Sequence, residues 1–593
     1  MSAMPQSQVA VDPITTEVIR NLFISAAEEM KINLARTAYN PVVFEMYDFA
    51  VGIFDADANM IAQAPGLPVF LGTLRENVKV VTEDIGGLHN FRPHDIYMMN
   101  DPYTAGTHLL DVTCVAPVFY QQRVVGFSAV KMHWLDVGGK DPGSWSNDTT
   151  SIYQEGIRFR SVKLIDAGVP VKPVFDLVRY NVRLGDSVLG DLRAQIAACR
   201  TGEKRFTHIL EKYGFATVNA AKEQLMDHAE RMTRLAIERI PNGTYRASGS
   251  IDNDSLNLDS QDLPIEVKIT VRDSSIEVDL TGSQRQNAGP INCGLATTIS
   301  AVRVGFKCLT TPWLAINEGA FRPLSVIVPE DSMFNAKYPA PVCQFGMHLI
   351  TLIDTMWKAL SPALPGKVPA GHYADLGVLS MSGIDPRTNT EFIHVDSSSG
   401  GWGACEGHDG ESTLIAVVDG DSKNIPAEIV EHKYPLRLLQ FSLIPDSGGP
   451  GKFRGGLGHV RDFQSLADSL VVLTSIERHN YRPWGLYGGL EGGANDALLN
   501  PGGAGSREVR KVTNFPLKIG DILSVRSGGG GGYGPPWERD ARRVLHDVTE
   551  GYVSIDAARD EYQIGISANS DGMRLDEDAT RALRSRSSNK EDR

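Results

Sequence analysis

The spacing of apolar residues changes along the chain and predicts which segments are helical. Over residues 14–38 apolar positions recur every three or four residues, which predicts an amphipathic helix that starts after Asp12-Pro13. Residues 173–235 contain few glycines and many good helix formers, so we expect the most helical part of the chain there. Further helices are predicted at 70–86, 295–309, 349–361 and 537–563.

Apolar runs bounded by turn residues predict strands in the other segments. The runs 49–54 and 60–62 enclose the turn 55–59 and predict a hairpin. Residues 243–282 alternate with a period of two, which is typical of antiparallel strands. Further strands are predicted at 96–99, 112–120 and 123–130 and, between many glycines, within 389–535. We therefore predict an α+β fold, a mixed, strand- and loop-rich chain with several lobes and a helical segment near 173–235.

Changes in composition suggest three regions and a tail. We expect an N-terminal region at 1–240 that includes the helical segment, and a strand-rich α+β region at 241–390. A glycine-rich β region with a C-terminal helix is expected at 391–565. Residues 571–593 are highly charged and poor in core-forming residues, which predicts a disordered tail.

Charge and cysteine content exclude several classes of function. The chain has 58 basic and 72 acidic residues, a formal net charge of −14, which argues against nucleic acid as a partner. No apolar run reaches the roughly 18 residues of a membrane span, and no secretory signal is evident. We therefore expect no membrane binding. The six cysteines are scattered without a C-x-x-C pair, so we expect reduced thiols, no zinc ribbon and a cytoplasmic protein.

Two histidines and an aspartate bracket two predicted strands and form the best candidate site. His108 and Asp111 lie three residues apart at the start of one strand, and His133 ends the next. If these strands pair, the three side chains converge, and their mixture of imidazole and carboxylate suits a divalent ion such as Mn²⁺ or Zn²⁺. Three ligands would leave coordination positions open for a reactant. His-x-x-Asp spacing alone is a weak signal, but Gly138-Gly139 after the second strand strengthens it.

Two other features are open to more than one interpretation. Asp48 opens a strand-like run and is a further candidate ligand, although a turn carboxylate is the commoner role on sequence alone. The five glycines Gly528–Gly532 would permit close backbone approach to an anion or to another subunit, and they would equally form a plain flexible turn.

The chain has no recognisable ATP site of its own. Lys452 is followed by Phe453 instead of Ser or Thr, and Asp446 stands where a Walker loop has its first glycine. No Gly-x-Gly-x-x-Gly segment lies between a strand and a helix. A Gly-x-Ser-x-Gly elbow is also missing, which gives no support to an α/β-hydrolase.

Several segments together resemble the hydantoinase B/oxoprolinase family. The matching segments, from about residue 12 to about residue 563, are DPITTEVIRN, NDPYTAGTHLLDVT, KMHWLDVGG, YQEGIRF, NIPAEIVEHKYPLRL, PDSGGPGKFRGGLG and GGGGGYGPPWERD. The resemblance implies a hydantoinase A-type partner subunit with an actin-like ATPase fold that binds ATP-Mg. It also implies a hetero-oligomer that opens the ring amide of hydantoins, 5-oxoproline or caprolactam, or that carboxylates acetone or acetophenone.

The resemblance also implies a ligand set and a substrate preference. Members hold a divalent metal through residues that match His108, Asp111 and His133, with a further carboxylate at the position of Asp48. Members often have histidines where Gly66 and Phe70 stand, and Arg or Gly where Tyr47 stands. These departures make the pocket less polar and favour a lactam or an aryl ketone over a hydantoin.

We therefore predict the metal-carrying B-type subunit of an ATP-dependent cyclic-amide hydrolase. Asp136 or Glu155 is expected to accept a proton or, alternatively, to orient a histidine ligand. Three alternatives remain from the sequence: a subunit of a ketone carboxylase, a scaffold subunit without metal, and a metallohydrolase that works without ATP.

Overall fold

The computed structural model of the protein describes residues 11–503, 505–569 and 572–591. Helices are α1 Pro13–Thr37, α2 Pro41–Phe44, α3 Pro68–Asp84, α4 Lys172–Asn181, α5 Gly185–Tyr213, α6 Phe215–Ile237, α7 Leu295–Thr310, α8 Phe345–Leu360, α9 Ala427–Lys433, α10 Ala541–Thr549, α11 Ile555–Asp560 and α12 Glu577–Glu591. Strands are β1 Phe49–Asp55, β2 Met60–Gln63, β3 Ile96–Met99, β4 Asp111–Tyr120, β5 Arg123–His133, β6 Val162–Asp166, β7 Val169–Pro170, β8 Gly243–Ile251, β9 Leu263–Arg272, β10 Ser275–Asp279, β11 Leu324–Ile327, β12 Val378–Asp385, β13 Thr390–Asp396, β14 Leu436–Leu443, β15 His459–Ser465, β16 Leu470–Ser475, β17 Asp496–Leu499, β18 Arg507–Glu508, β19 Lys511–Leu517, β20 Ile522–Arg526, β21 Gly565–Asn569 and β22 Gly572–Asp576.

The chain folds into two compact units, and both contain helices and sheets. The first unit comprises Met1–Tyr245, Val267–Phe345 and Val418–Lys423. The second unit comprises Arg246–Glu266, Gly346–Val417 and Asn424–Arg593. The mixture of many helices with several separate small sheets confirms the predicted α+β class. Among the described residues, no helix combines the length and the apolar character that crossing a bilayer requires.

The core of the first unit is a seven-stranded sheet with strand order β2-β1-β5-β4-β3-β6-β7. Its central strands β4 and β5 are buried on both faces. Alternate residues of β5 point to opposite faces: Ser128 contacts Met30 of α1, whereas Lys131 contacts Thr73 of α3. His133 therefore lies on the same face of the sheet as Lys131.

The first helix shows why the sequence pattern predicted its position. The carboxylate of Asp12 accepts hydrogen bonds from the backbone N–H groups of Ile14 and Thr15, and Pro13 occupies the first turn, where its missing N–H costs nothing. The residues that α1 buries, among them Ile19, Phe23, Met30 and Leu34, recur at helical spacing.

The remaining sheets are small. Strands β11-β10-β9-β8 form a four-stranded sheet in which β10 and β11 are parallel. The second unit contains the sheets β13-β12-β16-β19 and β14-β15-β20-β17-β18 and the hairpin β21-β22.

The five glycines of the second unit form neither a flexible turn nor an exposed surface. Gly528–Gly532 are buried, and their backbone groups bond neighbouring glycine-rich segments, for example Gly530 N–H to the Gly456 carbonyl at 2.9 Å. A Cβ on Gly530 would lie 1.9 Å from the carbonyl oxygen of Trp402, so the packing requires glycine there.

Glycines also explain where the predicted helices divide. The segment 173–235 forms three helices, and Gly214, with φ of 74°, ends α5 and precedes α6. The predicted helix at 537–563 is two helices, α10 and α11, with Gly551 between them, also at φ 74°.

The structure has β22 and α12 in the segment for which the sequence predicts a disordered tail. The side chain of Leu575 packs against the buried cluster of Val544, Tyr562 and Ile564, and Thr580 and Arg584 make hydrogen bonds to Gly565 N–H and the Arg539 carbonyl. Residues 571, 592 and 593 of that tail lie outside the described residues.

Candidate metal centre

Strand register brings the predicted site residues together at one end of the central sheet. Asp111 starts β4 and His133 ends β5, and the two residues are direct partners in the antiparallel ladder. Strand β1 pairs with the other edge of β5, and the N–H of His133 donates to the carbonyl of Asp48, the residue before β1, at 3.1 Å. His108 joins them through a tight turn, in which Asp111 N–H donates to the His108 carbonyl at 3.2 Å.

Three side-chain atoms converge at this point. His108 Nε2 lies 3.0 Å from Asp111 Oδ1, His133 Nδ1 lies 3.1 Å from the same oxygen, and the two nitrogens are 3.2 Å apart. Ligand atoms bound about 2.0–2.2 Å from one divalent ion lie roughly 2.8–3.6 Å from each other at tetrahedral or octahedral angles. The three separations therefore fit a single divalent cation, and the three residues form a possible metal-binding triad.

The two ring nitrogens of His108 face different acceptors. His108 Nδ1 lies 3.3 Å from the carbonyl oxygen of Cys343, and a carbonyl accepts only. A hydrogen bond from Nδ1 to that carbonyl would leave Nε2 available to a cation. Burial alone would raise the pKa of Asp111, but His108 and His133 outweigh it and lower that pKa.

Asp48 adds a second carboxylate to the cluster. Its Oδ2 lies 4.0 Å from His133 Nδ1, and its Oδ1 is buried without a hydrogen-bond partner among the described residues. Burial raises the pKa of Asp48 to about 7. A buried carboxylate oxygen without a partner is costly, and binding to a cation would remove that cost.

Aromatic side chains surround the triad. The ring of His108 has its centroid 4.9 Å from that of Trp145 and 4.8 Å from that of Phe345. Gly66 and Phe70, which stand where family members often have histidine, lie beside the same sheet. Phe70 is buried with its ring 5.5 Å from Lys131 Nζ, and Gly66 packs against the Phe49 carbonyl. A Cβ at Gly66 would be 2.7 Å from that oxygen, so a histidine does not fit this position.

Tyr47, the third departure, sets the direction of the chain into Asp48. Tyr47 adopts a left-handed backbone conformation with φ of 61°, which is unusual for a bulky residue. Its ring lies 5.5 Å from Lys31 Nζ and 4.6 Å from Lys423 Nζ. Both ammonium groups lie within cation–π distance of the ring and stabilise the turn that precedes Asp48.

Glu155 lies apart from the three ligand atoms and is linked to them through the backbone. Its buried carboxylate accepts hydrogen bonds from Val342 N–H, Cys343 N–H and Thr149 Oγ1–H at 2.9–3.0 Å. Cys343 in turn offers its carbonyl to His108. Burial raises the pKa of Glu155 to about 7 in spite of these donors.

Asp136 is also buried, and its oxygens are engaged in the loop after β5. They accept hydrogen bonds from Gly138 N–H at 2.8 Å, Arg183 N–H at 2.8 Å and the Arg183 guanidinium at 3.0 Å. Neither Asp136 nor Glu155 makes a direct hydrogen bond or ion pair with the triad among the described residues.

Sequence reasoning missed several groups near the triad. Trp145, Phe345 and Cys343 carry no motif that would mark them. Asp419 is buried as well, and burial, together with the charge of Asp111, raises its pKa to about 7. An acidic residue directly after the apolar run Ile415–Val418 was a weak signal that could have identified Asp419.

The sequence of this chain matches a known protein family over most of its length. The family model described as hydantoinase B/oxoprolinase matches residues 12–536. The chain belongs to the hydantoinase B/oxoprolinase family. This confirms the resemblance drawn from the sequence motifs.

Relatives of this family match along almost the whole chain. A protein of Pseudomonas sp. (strain NS671), named as the B component of a D-/L-hydantoinase, is 32% identical over 98% of this chain and 100% of its own. The solved structure of ATP-dependent caprolactamase from Pseudomonas jessenii has a TM-score of 0.88 at 30% identity, over 97% of this chain and 100% of the other. Nucleotide-free acetone carboxylase has a TM-score of 0.89 at 20% identity, over 98% of this chain and 83% of the other, and shows the same fold.

Proposed function

We propose that this chain is the metal-carrying B-type subunit of an ATP-dependent hydrolase that opens cyclic amides. His108, Asp111 and His133 would hold a divalent cation, Mn²⁺ or Zn²⁺, and Asp48 would be the fourth ligand. The observation that carries the proposal is the convergence of three buried side-chain atoms, His108 Nε2, His133 Nδ1 and Asp111 Oδ1, which lie 3.0–3.2 Å from one another. This spacing suits atoms that bind one cation.

The residues around the triad would orient it and keep it dry. A bound divalent cation would supply a Lewis acid that polarises a carbonyl and makes water more acidic. Glu155 accepts a hydrogen bond from Cys343 N–H, and the Cys343 carbonyl would accept one from His108 Nδ1, so that Nε2 could bind the cation. Trp145 and Phe345 form an apolar wall that would accept the methylene groups of a lactam ring. Asp136 would hold the loop after His133 in place.

ATP would be used by a partner subunit. An unstrained amide resists water, and phosphorylation of its oxygen would turn that oxygen into a leaving group. We assign this step to a hydantoinase A-type subunit, because this chain has no recognisable ATP-binding motif. It is supported by relatives whose names make them one component of a larger enzyme, the B component of a hydantoinase and the β component of caprolactamase.

Hydrolysis is preferred over ketone carboxylation for two reasons. The sequence similarity to caprolactamase extends over the full length of that chain, whereas the acetone carboxylase chain is longer than this one and shares only the fold. The apolar surroundings of the triad suit a lactam. Carboxylation would use the same cation to stabilise an enolate, so it is the second candidate.

The test is reconstitution with a hydantoinase A-type subunit. The complex is incubated with ATP and, in separate reactions, ε-caprolactam, 5-oxoproline or hydantoin, and ADP and ring-opened product are measured. A further reaction contains acetophenone or acetone with bicarbonate, and another omits the partner. We expect ring opening only when both subunits and ATP are present. Carboxylated ketone without ring opening would favour the second candidate, and ring opening by this chain alone would contradict the need for ATP.

A further inference from the structure

The sheet β14-β15-β20-β17-β18 of the second unit has two edges of opposite character. The edge strand β18 consists of only two residues, Arg507 and Glu508, and both are charged. Short and charged edge strands are the usual protection against pairing with another chain. At the other edge β14 is eight residues long, and its neighbourhood Leu438–Ile444 contains no charged residue and no proline. The β14 edge therefore lacks that protection.

Apolar side chains of β14 are exposed beside a buried face of the same sheet. Leu439, Phe441 and Leu443 are 47%, 53% and 36% exposed. Phe441 is the cross-strand partner of Arg461, and Leu443 is that of His459; both of these β15 residues are buried. The ring centroid of Phe441 lies 5.1 Å from that of His459. The buried face of the sheet thus ends in an open apolar border formed by β14.

The backbone of β14 directs hydrogen-bonding groups outwards along the same border. Ile444 N–H donates to the Gly458 carbonyl at 2.9 Å, so Ile444 faces the side of β15. In an antiparallel pair every second residue faces the partner strand. Ser442 therefore faces β15 as well, whereas the N–H and carbonyl groups of Phe441 and Leu443 point away from it. The pairing is regular over these residues, because the shift in register lies earlier in β14.

We propose that β14 pairs with β14 of a second copy of this chain, in an antiparallel arrangement with its two-fold axis at Ser442. In this register Phe441 of each copy lies opposite Leu443 of the other. The outward backbone groups of each such pair then exchange both hydrogen bonds, and the two apolar side chains cover each other. The sheet continues across the interface. This pairing requires neither the metal nor the proposed reaction.

The charges at the two ends of β14 favour a second copy in this orientation. Arg437, near the start of the strand, is exposed and makes no ion pair among the described residues. Asp446, just beyond the end of the strand, is also exposed. Antiparallel pairing brings Arg437 of each copy to the end at which Asp446 of the other copy lies. The uncharged residues between them place no like charges opposite each other, which favours self-association in a chain with a net charge of −14.

A disulfide tests the register directly. In the proposed pairing the two Ser442 residues form a non-hydrogen-bonded pair with Cα atoms about 4.5 Å apart, within the span of a disulfide. The two Gln440 residues would be about 14 Å apart along the strands, which is too far. We expect full-length Ser442→Cys to form a disulfide-linked dimer on mild oxidation. Gln440→Cys, the matched control, should form no more than the wild type, in which the exposed Cys308 sets the background.

Sedimentation equilibrium of the full-length chain without a partner subunit measures the association itself. We expect a dimer, and Phe441→Lys should raise its dissociation constant about a hundredfold or more, because a charge replaces an apolar contact that occurs twice in the interface. Ile519→Lys changes an exposed apolar residue of the same unit between β19 and β20 and should leave the constant unchanged. The cross-link of Ser442→Cys does not depend on whether Phe441→Lys folds.

A wild-type chain that stays monomeric at micromolar concentrations would overturn this inference, as would a dimer that a folded Phe441→Lys leaves intact. Equal cross-linking of Ser442→Cys and Gln440→Cys would overturn it too. With a hydantoinase A-type subunit added, the Ser442→Cys cross-link should persist. Its loss would show that the partner subunit occupies the β14 edge instead of a second copy, and would equally contradict the pairing. The opening of cyclic amides is measured separately and is not decided by these results.

Discussion

The two units each bury a histidine–aspartate pair, and the pairs differ in what balances the charge. In the second unit the carboxylate of Asp354 receives His372 Nδ1 at 3.1 Å, the Arg478 guanidinium at 2.6 Å and Trp484 Nε1–H at 2.7 Å. Burial alone would raise the pKa of Asp354, but Arg478 and His372 lower it to about 2. Within this cluster the positive charge of the Arg478 guanidinium balances the negative charge of the Asp354 carboxylate.

In the first unit no arginine or lysine lies within ion-pair distance of the Asp111 carboxylate among the described residues. Its direct partners are His108, His133 and the hydroxyl of Thr107, and the buried Lys131 interacts with its charge only from farther away. Asp48 adds a further carboxylate. Burial of histidine beside aspartate is therefore not enough to indicate a metal. The informative feature is a set of donor atoms that converge without a directly paired arginine or lysine.

Loss of a triad residue should have the largest effect. In His133→Ala one of three converging ligand atoms is missing, so we expect bound metal to fall to below about a tenth of the wild-type content and turnover to fall at least a hundredfold. Metal is measured by elemental analysis and turnover in the reconstituted complex. His228→Ala, an exposed histidine of α6, is the control and should change neither. Full metal content in His133→Ala would remove the basis for the site.

Loss of the arginine in the second cluster should act on stability instead. Arg478→Met removes the guanidinium partner of the buried Asp354 carboxylate, and loss of one partner of a buried ion pair typically costs about 3–5 kcal/mol of the free energy of unfolding. Denaturant unfolding is the measurement, and Arg559→Met, in an exposed pair with Asp560, should leave the midpoint unchanged. Bound metal per folded chain should stay at the wild-type value. A loss of metal in Arg478→Met would contradict the division of roles between the two clusters.

Removal of the metal should destabilise only a protein with an intact triad. A ligand at about a hundred times its Kd stabilises the folded state by about 2.7 kcal/mol, so a chelator should lower Tm by a few degrees and added Mn²⁺ or Zn²⁺ should restore it. In His133→Ala the chelator should have no effect on Tm. An equal shift in both proteins would indicate that the cation binds elsewhere.

The smallest effect is expected when the support of His108 is weakened. Glu155→Gln retains one acceptor oxygen but loses the negative charge and one acceptor position, so the backbone of Cys343 is held less firmly. We expect metal affinity to fall about tenfold, the lower end for residues that support a ligand. Titration with the metal measures this, and unchanged affinity would mean that Cys343 holds its position without Glu155.

The same variant has a pH signature in the metal-free protein. The pKa of Glu155 is raised from 4.5 to about 7, so its contribution to stability is present below about pH 4.5 and is lost as pH rises to 7. The slope of stability against pH should therefore be smaller in Glu155→Gln between these values and unchanged above them. Equal slopes in the two proteins would show that folding does not raise the pKa of Glu155.

The sequence predicted those parts of the site that depend on local pattern. His108, Asp111 and His133 flank two strands whose alternation is visible, and antiparallel pairing then leaves them as neighbours. Contacts between distant segments carry no periodic signal. Glu155 accepts a hydrogen bond from Val342 across 187 residues, and Val418–Lys423 joins the first unit from much later in the chain. The sequence of Gly528–Gly532 likewise does not indicate which backbone segments surround these glycines.

The segment Val418–Lys423 belongs to the first unit although the chain on both sides of it belongs to the second, and this has a consequence for how the protein is made. A ribosome that has added the first 345 residues has supplied both histidines and the aspartate of the triad, but neither the Val418 carbonyl that bonds Val69 N–H nor the Lys423 N–H that bonds the Met46 carbonyl. These hydrogen bonds form only when synthesis has passed Lys423, so the first unit is completed late in translation.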